Sequence, residues 1–132
     1  MSTERPGPRP IGFSREAAVE FCRDWMIYLG EQDTVVASGG AAAVCDLYSS
    51  HYVGLVENAI GNIEVPLVER AASLVASDGR LGLVFHSGGC LPAAAELADT
   101  CGIALITFDG LNGAIEARNQ VAVPICRFEQ LS

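Results

Sequence analysis

Lysine is missing from this chain. The 132 residues include eight basic residues, all of them arginine, against sixteen acidic ones, which gives a formal net charge of −8. A surface of that sign repels a polyanion, so the composition counts against a nucleic-acid-binding protein of the ordinary basic type. Any catalytic mechanism for this chain also has to work without a lysine ammonium group.

Other features are scarce as well. The apolar runs are far shorter than the roughly 18 residues of a membrane span, and the N-terminus lacks a secretory pattern, so we expect a soluble cytoplasmic protein without a membrane partner. The five cysteines form no CxxC pair, which favours buried thiols over disulfides or a zinc site. Half of the residues are apolar, which is enough for one domain with a real core.

The order of hydrophobic patterns predicts a mixed α/β domain. Residues 1–12 carry three prolines and two glycines and are expected to form a disordered or loosely draped arm, leaving residues 13–132 as one domain. Ser14 is placed to cap a first helix that ends at Gly30. The pattern then predicts strands at 34–38, 44–49 and 52–58, a helix from about Pro66 to Gly79, a strand at 81–87, a helix at 91–102, a strand at 103–109 and a final helix or turn at 110–121.

This order, αβββαβαβ, limits the architecture. The strands at 81–87 and 103–109 are apolar throughout, so they need helices on both faces of the sheet. A parallel strand–helix–strand connection is also right-handed. We therefore expect a three-layer α/β/α sandwich around a mixed central sheet.

Two carboxylates lie on the predicted hairpin DLYSSHYVGLVEN. If Ser50 and His51 form a two-residue loop, Asp46 lies across from Leu55, and Glu57 sits diagonally on the same face. Paired carboxylates at a sheet edge are the oxygen ligands that a magnesium-type cation prefers. The alternative that stays open is that each residue ends a strand and points into solvent.

Glu20 and Cys90 are two further candidate functional residues. Glu20 lies away from the apolar stripe of the first helix, so it is either a solvated residue or a third acidic ligand. The segment HSGGCLP places Cys90 near a helix N-terminus, where thiol pKa values can fall and anions can bind. His86 is adjacent, but no base with an orienting partner is identifiable, so a plain strand-to-helix turn is the alternative.

Residues 16–123 resemble the Mrr-type restriction endonuclease family of the PD-(D/E)xK nuclease superfamily. The likeness is carried by the segments CRDWMIYLGEQDTVV, VCDLYSSHYVGLVEN, GGCLPAAAELADTCGIALITFD and GAIEARNQVA. On its hairpin the family has an aspartate, ten intervening residues and a lysine, with glutamine or an acid two residues before the lysine. The resemblance implies a restriction-endonuclease-like fold, in which Asp46 matches the catalytic aspartate. If the protein is an active member, we expect Asp46, Glu57 and Glu20 as its catalytic carboxylates, with Asp46 and Glu57 as ligands of Mg²⁺.

The hairpin departs from the family pattern at two positions. Leu55 stands where glutamine or an acid belongs, and Glu57 stands where the lysine belongs. In the family the lysine supplies positive charge beside the attacked phosphate, so Glu57 reverses the local charge. An arginine such as Arg70, or a second metal, would have to take over that role.

Two functions of different class follow. The degenerate motif favours a catalytically weak or inactive pseudonuclease that binds or regulates, needs no cofactor, and associates with a protein partner or as a homodimer. The preserved spacing favours an active Mg²⁺-dependent DNA endonuclease in restriction or phage defence. DNA is the partner that the family implies, and the net charge of −8 disfavours it.

Overall fold

The computed structural model of the chain describes residues 4–10, 12 and 14–131. Positions 1–3 and 11 of the expected arm, and positions 13 and 132 of the expected domain, lie outside the described residues. Within the part that is described, no helix is both long enough and apolar enough to cross a membrane.

The first helix, α1 (Arg15–Tyr28), begins and ends where the sequence predicts. The Oγ atom of Ser14 accepts a hydrogen bond from the amide of Ala17 at 3.2 Å, which is an N-cap contact. Gly30 follows the helix with a φ of 118°, a backbone conformation that favours glycine. The predicted apolar stripe is buried, including the core position expected for Trp25.

Three strands follow α1 in an antiparallel meander. They are β1 (Val35–Val36), β2 (Leu47–Tyr48) and β3 (Tyr52–Glu57). β1 and β2 are shorter than predicted. Residues Gly39–Ala43, expected as a flexible link, form a 3₁₀ helix between them. The amide of Ser49 donates to the carbonyl oxygen of Tyr52 at 2.9 Å, which closes the predicted two-residue loop at 50–51.

The middle of the chain alternates strands and helices. In order, it forms β4 (Asn62–Ile63), α2 (Val65–Asp78), β5 (Leu81–His86), β6 (Gly89–Cys90), α3 (Pro92–Cys101) and β7 (Ala104–Asp109). The strands β3, β5 and β7 pair in parallel, while β4 and β6 pair only with each other. Both helices have proline in the first turn and end at a glycine with left-handed φ, as the sequence predicts.

The prediction of a final helix or turn at 110–121 is wrong. After a turn, this segment forms β8 (Ala114–Ala117), which pairs antiparallel with β7, and the last helix, α4 (Ala122–Phe128), begins later. The expected order αβββαβαβ therefore lacked β4, β6, β8 and α4. The three short strands among them depend on long-range pairing, which the local hydrophobic pattern does not record.

Helices flank both faces of the mixed six-stranded sheet, whose strand order is β1-β2-β3-β5-β7-β8. One core cluster joins α1 and α4 to sheet residues such as Val56 and Ile106, and the other joins α2 and α3 to Leu55 and Leu105. Successive residues of a strand enter opposite clusters, as the pleat requires. The expected mixed α/β class with helices on both sides of the sheet is confirmed.

Candidate functional site

Asp46 is the predicted site residue that the structure buries. Its side chain is 9% exposed and lies just before β2. The Oδ2 atom accepts a hydrogen bond from the amide of Val56 at 2.7 Å, and Oδ1 accepts one from the guanidinium of Arg15. Both oxygens are therefore engaged, one by a neutral donor and one by a positive charge.

Asp46 departs from the regular ladder of the hairpin. Its amide donates to the carbonyl oxygen of Gly54 at 2.9 Å, although Gly54 is the register partner of Leu47. Two successive residues facing one partner is the pattern of a β-bulge, which re-aims a side chain. The diagonal placement expected for Asp46 and Glu57 assumed a regular ladder, and that assumption fails at this residue.

Arg15 is the site residue that the sequence analysis missed. It is the first residue of α1, and its side chain is 66% exposed while it reaches the buried carboxylate of Asp46. The arginine considered from the sequence, Arg70, is exposed on α2. A separation of 31 residues between Arg15 and Asp46 follows no helical or strand period, so only the tertiary fold reveals the pair.

Asp46 and Glu20 line the same pocket, which has a volume of about 400 Å³ beside the start of α1. The structure thus brings together two of the three predicted acidic residues, and Glu57 is not among the lining residues. The guanidinium groups of Arg15 and Arg23 share the pocket with the acids. Its charge is therefore mixed, whereas the sequence analysis expected an anionic site.

Glu57 lies at the exposed end of β3, in register with His86 of β5. Burial lowers the pKa of His86, and the negative charge of Glu57 opposes that shift in part. The Nδ1 atom of His86 accepts a hydrogen bond from the amide of Gly88 at 2.7 Å, which requires that this nitrogen carry no proton. The neighbour of Glu57 is thus a neutral imidazole.

The residues around the hairpin, as they are arranged, do not fit a magnesium ion. Leu55 is buried in the core cluster beneath α2 and α3, and by the alternation of the strand Glu57 belongs to that same face. Asp46 instead interacts with Arg15 at the start of α1. In the described ranges, no group of three or more His, Cys, Asp or Glu side chains is placed to hold a metal ion.

The segment around Cys90 is a packed turn. Burial raises the pKa of the Cys90 thiol, and the positive charge of Arg118 offsets only part of that shift. A nucleophilic thiol needs a lowered pKa. The adjacent glycine is also tightly packed, because a Cβ atom at Gly88 would lie 1.8 Å from the carbonyl oxygen of Gly61. These observations favour the alternative of a structural strand-to-helix turn.

A second cavity, of about 770 Å³, lies at the carboxyl ends of β3, β5 and β7. The Nε atom of Arg118 donates to the Oγ1 atom of Thr107 at 2.9 Å, and its Nη2 atom lies 3.3 Å from a carboxylate oxygen of Glu116. The arginine that lines this cavity is therefore already paired with two other lining residues. The sequence does not predict this cavity, because its lining comes from separate segments of the chain.

Comparison with known proteins gives no match for this chain: no family model, no curated protein and no solved structure is significantly similar to it. The fold and the site define a mixed α/β domain with an arginine-paired, buried aspartate beside the second strand of its sheet.

Proposed function

We propose that this chain is a divergent Mrr-type, restriction-endonuclease-like protein that binds a partner and does not cleave nucleic acid. The observation that carries the proposal is the state of Asp46, whose two carboxylate oxygens interact with the Arg15 guanidinium and the Val56 amide. Asp46 is the hairpin position that matches the family's aspartate. A carboxylate already neutralised by a guanidinium has little capacity left for a divalent cation.

The topology supports the nuclease-like ancestry. A helix precedes a meander of three antiparallel strands. After the short strand β4, a second helix leads to β5, which pairs in parallel with β3. Apart from β4, which pairs outside the main sheet, this run follows the first part of the expected order αβββαβαβ. In this proposal, Asp46, just before β2, corresponds to the family's aspartate, and Glu57, on β3, to its lysine.

The charges near the hairpin support binding without hydrolysis. Attack on a phosphodiester builds negative charge, and positive groups have to stabilise it. Glu57 occupies the family's lysine position, and Arg15 is already paired with Asp46. A net charge of −8 repels a polyanion, so the proposed partner is a protein, or a second copy of this chain where local charges of opposite sign meet.

A second candidate is an active Mg²⁺-dependent DNA endonuclease in restriction or phage defence. One observation favours it, because Glu20 and Asp46 line a common pocket. This candidate requires Arg15 to release Asp46, with Glu20 or Glu57 completing the set of acidic ligands.

A nicking assay on supercoiled plasmid, with Mg²⁺ or Mn²⁺, separates the two candidates. Four proteins are compared: the wild type, Asp46→Ala, Arg15→Ala, and Glu69→Ala as a control at an exposed position of α2. For a pseudonuclease we expect no metal-dependent nicking by the wild type above that of Asp46→Ala. We also expect no saturable heat of Mg²⁺ binding in calorimetry.

The opposite result would establish the endonuclease. Nicking that requires metal, disappears in Asp46→Ala and persists in Glu69→Ala would overturn the pseudonuclease proposal. An increase of nicking in Arg15→Ala alone would show that the ion pair suppresses an otherwise competent site.

A further inference from the structure

Part of the N-terminal segment lies in a groove along α1. We call residues 4–10 the arm segment, and we call the surface beneath it, formed by Phe21, Asp24, Trp25 and Glu129, the arm groove. The backbone amide of Arg9 also donates to the carbonyl oxygen of Gly110 at 2.7 Å. The arm segment is therefore bound by both side-chain and backbone contacts.

The two arginines of the arm segment make equivalent contacts. The guanidinium of Arg5 lies 5.0 Å from the ring centre of Trp25, and its Nε atom lies 3.3 Å from a carboxylate oxygen of Glu129. The guanidinium of Arg9 lies 5.2 Å from the ring centre of Phe21. Each arginine thus combines a cation–π contact with an acidic partner, since Arg9 also lies 3.3 Å from Asp24.

The spacing of the two arm arginines matches the spacing of the two aromatic residues that they contact. Arg5 and Arg9 are four positions apart in the arm segment, and Phe21 and Trp25 are four positions apart on α1, where residues at that spacing share one face. The arm segment runs in the opposite direction to α1, because Arg5 lies over Trp25 and Arg9 over Phe21. Its three prolines favour the extended conformation that this path needs.

A close backbone approach fixes the middle of the arm segment. A Cβ atom added at Gly113 would lie 2.5 Å from the nitrogen of Pro8 and 2.6 Å from the carbonyl carbon of Gly7. Gly113 also has a φ of 61°, which favours glycine. Only a residue without a side chain at this position leaves room for the arm segment.

We infer that the arm groove is a recognition site for an extended, proline-rich peptide with two arginines four residues apart, and that residues 4–10 of a second copy occupy it by exchange. The groove contributes two aromatic rings and two acids, of which Asp24 also pairs with Arg23 through its other carboxylate oxygen. The arm segment contributes two guanidinium groups, and each of them meets one of these acids. An arm from another copy can make the same contacts as the chain's own arm, which makes exchange a low-cost route to a dimer.

The net charge of −8 favours the arm segment as the part of a second copy that occupies the groove. Two copies with that charge repel each other over most of their surfaces. Association between copies is therefore favoured where a local basic segment meets local acids, as Arg5 meets Glu129 and Arg9 meets Asp24. This inference does not depend on whether the hairpin site is catalytic.

Fluorescence emission from Trp25, the single tryptophan of the chain, reports whether the arm segment occupies the groove. Trp25 is fully buried and lies under Arg5, so loss of the arm segment from the groove shifts its emission to longer wavelength. The test protein is the full chain with Arg5→Ala and Arg9→Ala. The matched control is Arg70→Ala with Arg127→Ala, which removes the same charge from two exposed positions elsewhere.

Exchange is tested by mixing two full-length chains. Trp25→Phe keeps the arm arginines and lacks tryptophan, while the Arg5→Ala/Arg9→Ala chain keeps tryptophan and lacks the arm arginines. A return of the Trp25 emission to shorter wavelength in the mixture requires that the arm of one chain enter the groove of the other. A synthetic peptide of residues 4–10 should give the same saturable return, and a peptide with both arginines replaced by alanine should not.

Each result decides part of the inference. Unchanged emission in the Arg5→Ala/Arg9→Ala chain, or no saturable response to the peptide, would overturn the recognition site. A response to the peptide without a response to the Trp25→Phe chain would overturn occupancy by a second copy. If Trp25→Phe does not fold, sedimentation of the wild type tests occupancy by a second copy. We expect the fraction of dimer to increase with concentration and the Arg5→Ala/Arg9→Ala chain to form no dimer. A wild type that stays monomeric would overturn occupancy by a second copy.

Discussion

Arg15 and Asp46 form an ion pair in which the guanidinium is 66% exposed and the carboxylate only 9% exposed. If the Arg15 side chain is removed, water can solvate the Asp46 carboxylate in its place. If the buried Asp46 side chain is removed, water has less access to the groups that it leaves unpaired. The two residues should therefore contribute unequally to stability, although they share one contact. The second hydrogen bond of Asp46, from the Val56 amide, increases the difference.

Removal of Asp46 should destabilise the fold more than removal of Arg15. Asp46→Ala leaves the Val56 amide without an acceptor and is expected to lower the free energy of unfolding by about 2–4 kcal/mol. Arg15→Ala is expected to cost about 1 kcal/mol, because solvent reaches the carboxylate from the side that the guanidinium covered. Urea unfolding of both single variants and the double variant gives the coupling energy. A coupling near zero would show that the pair contributes nothing to stability.

Gly88 should not tolerate a side chain. Its added Cβ atom would meet the carbonyl oxygen of Gly61 at 1.8 Å, a backbone contact that cannot move without opening the β4–β6 pair. Gly88→Ala is expected to cost about 3 kcal/mol or more. The matched control is Gly40→Ala, where nothing lies within 4 Å of the added atom. Thermal unfolding of both variants checks the difference, and equal melting temperatures would contradict the packing described here.

Acid should destabilise the protein through His86. Burial lowers the pKa of His86 below its ordinary value of 6.5, so the unfolded chain takes up a proton at a higher pH than the folded chain. The contribution of His86 to stability is therefore complete above pH 6.5 and falls as the pH drops toward the folded pKa. Protonation of Nδ1 would also break the hydrogen bond from the Gly88 amide.

The pH dependence is measured as the free energy of unfolding between neutral and mildly acidic buffer. His86→Gln should lose less stability on acidification than the wild type, and Glu57→Gln should lose more, because the Glu57 charge favours the protonated imidazole. His51→Gln, which removes an exposed imidazole whose Nδ1 atom lies 3.2 Å from a carboxylate oxygen of Glu31, is the comparison for a histidine that is not buried. Identical pH profiles for the wild type and His86→Gln would contradict this assignment.

Asn119 should be among the polar residues most sensitive to truncation. Its Oδ1 atom accepts the amides of Leu105 at 2.9 Å and Ala122 at 3.3 Å, and its Nδ2 atom donates to the carbonyl oxygen of Ile103 at 2.7 Å. Asn119→Ala leaves these buried backbone groups unpaired and is expected to cost about 2–4 kcal/mol. Gln120→Ala, at the exposed neighbouring position, should stay within about 0.5 kcal/mol of the wild type in urea unfolding.

The sequence predicts the central strands and three helices because their signals are local. The apolar runs at 81–87 and 103–109 predict β5 and β7, and the Ser14 cap predicts α1. The edge strand β8 has no such signal, since only four residues form it and pairing with β7 defines it. Asn119 likewise connects the start of β7 to the start of α4 through its hydrogen bonds with Ile103, Leu105 and Ala122, and no local sequence window contains all of these residues.

The site was predictable only in part, for the same reason. Spacing on the hairpin identified Asp46, and the register of the loop was predicted correctly. The partner of Asp46 is Arg15, which lies on another element, and the bulge that turns the Asp46 side chain toward it depends on backbone bonds to Gly54 and Ala37. The arm groove also joins distant segments, and the proline content predicted only a disordered or loosely draped arm.

The burial of Leu55 restricts which residues its position can accept. A carboxylate introduced there would enter the apolar cluster beneath α2 and α3, at a cost of several kcal/mol. An acid at position 55 would thus weaken the protein before it could serve any chemistry. In evolutionary terms, the position behaves as a ratchet, because the core beneath α2 and α3 has to be repacked before this strand can accept a charged residue there.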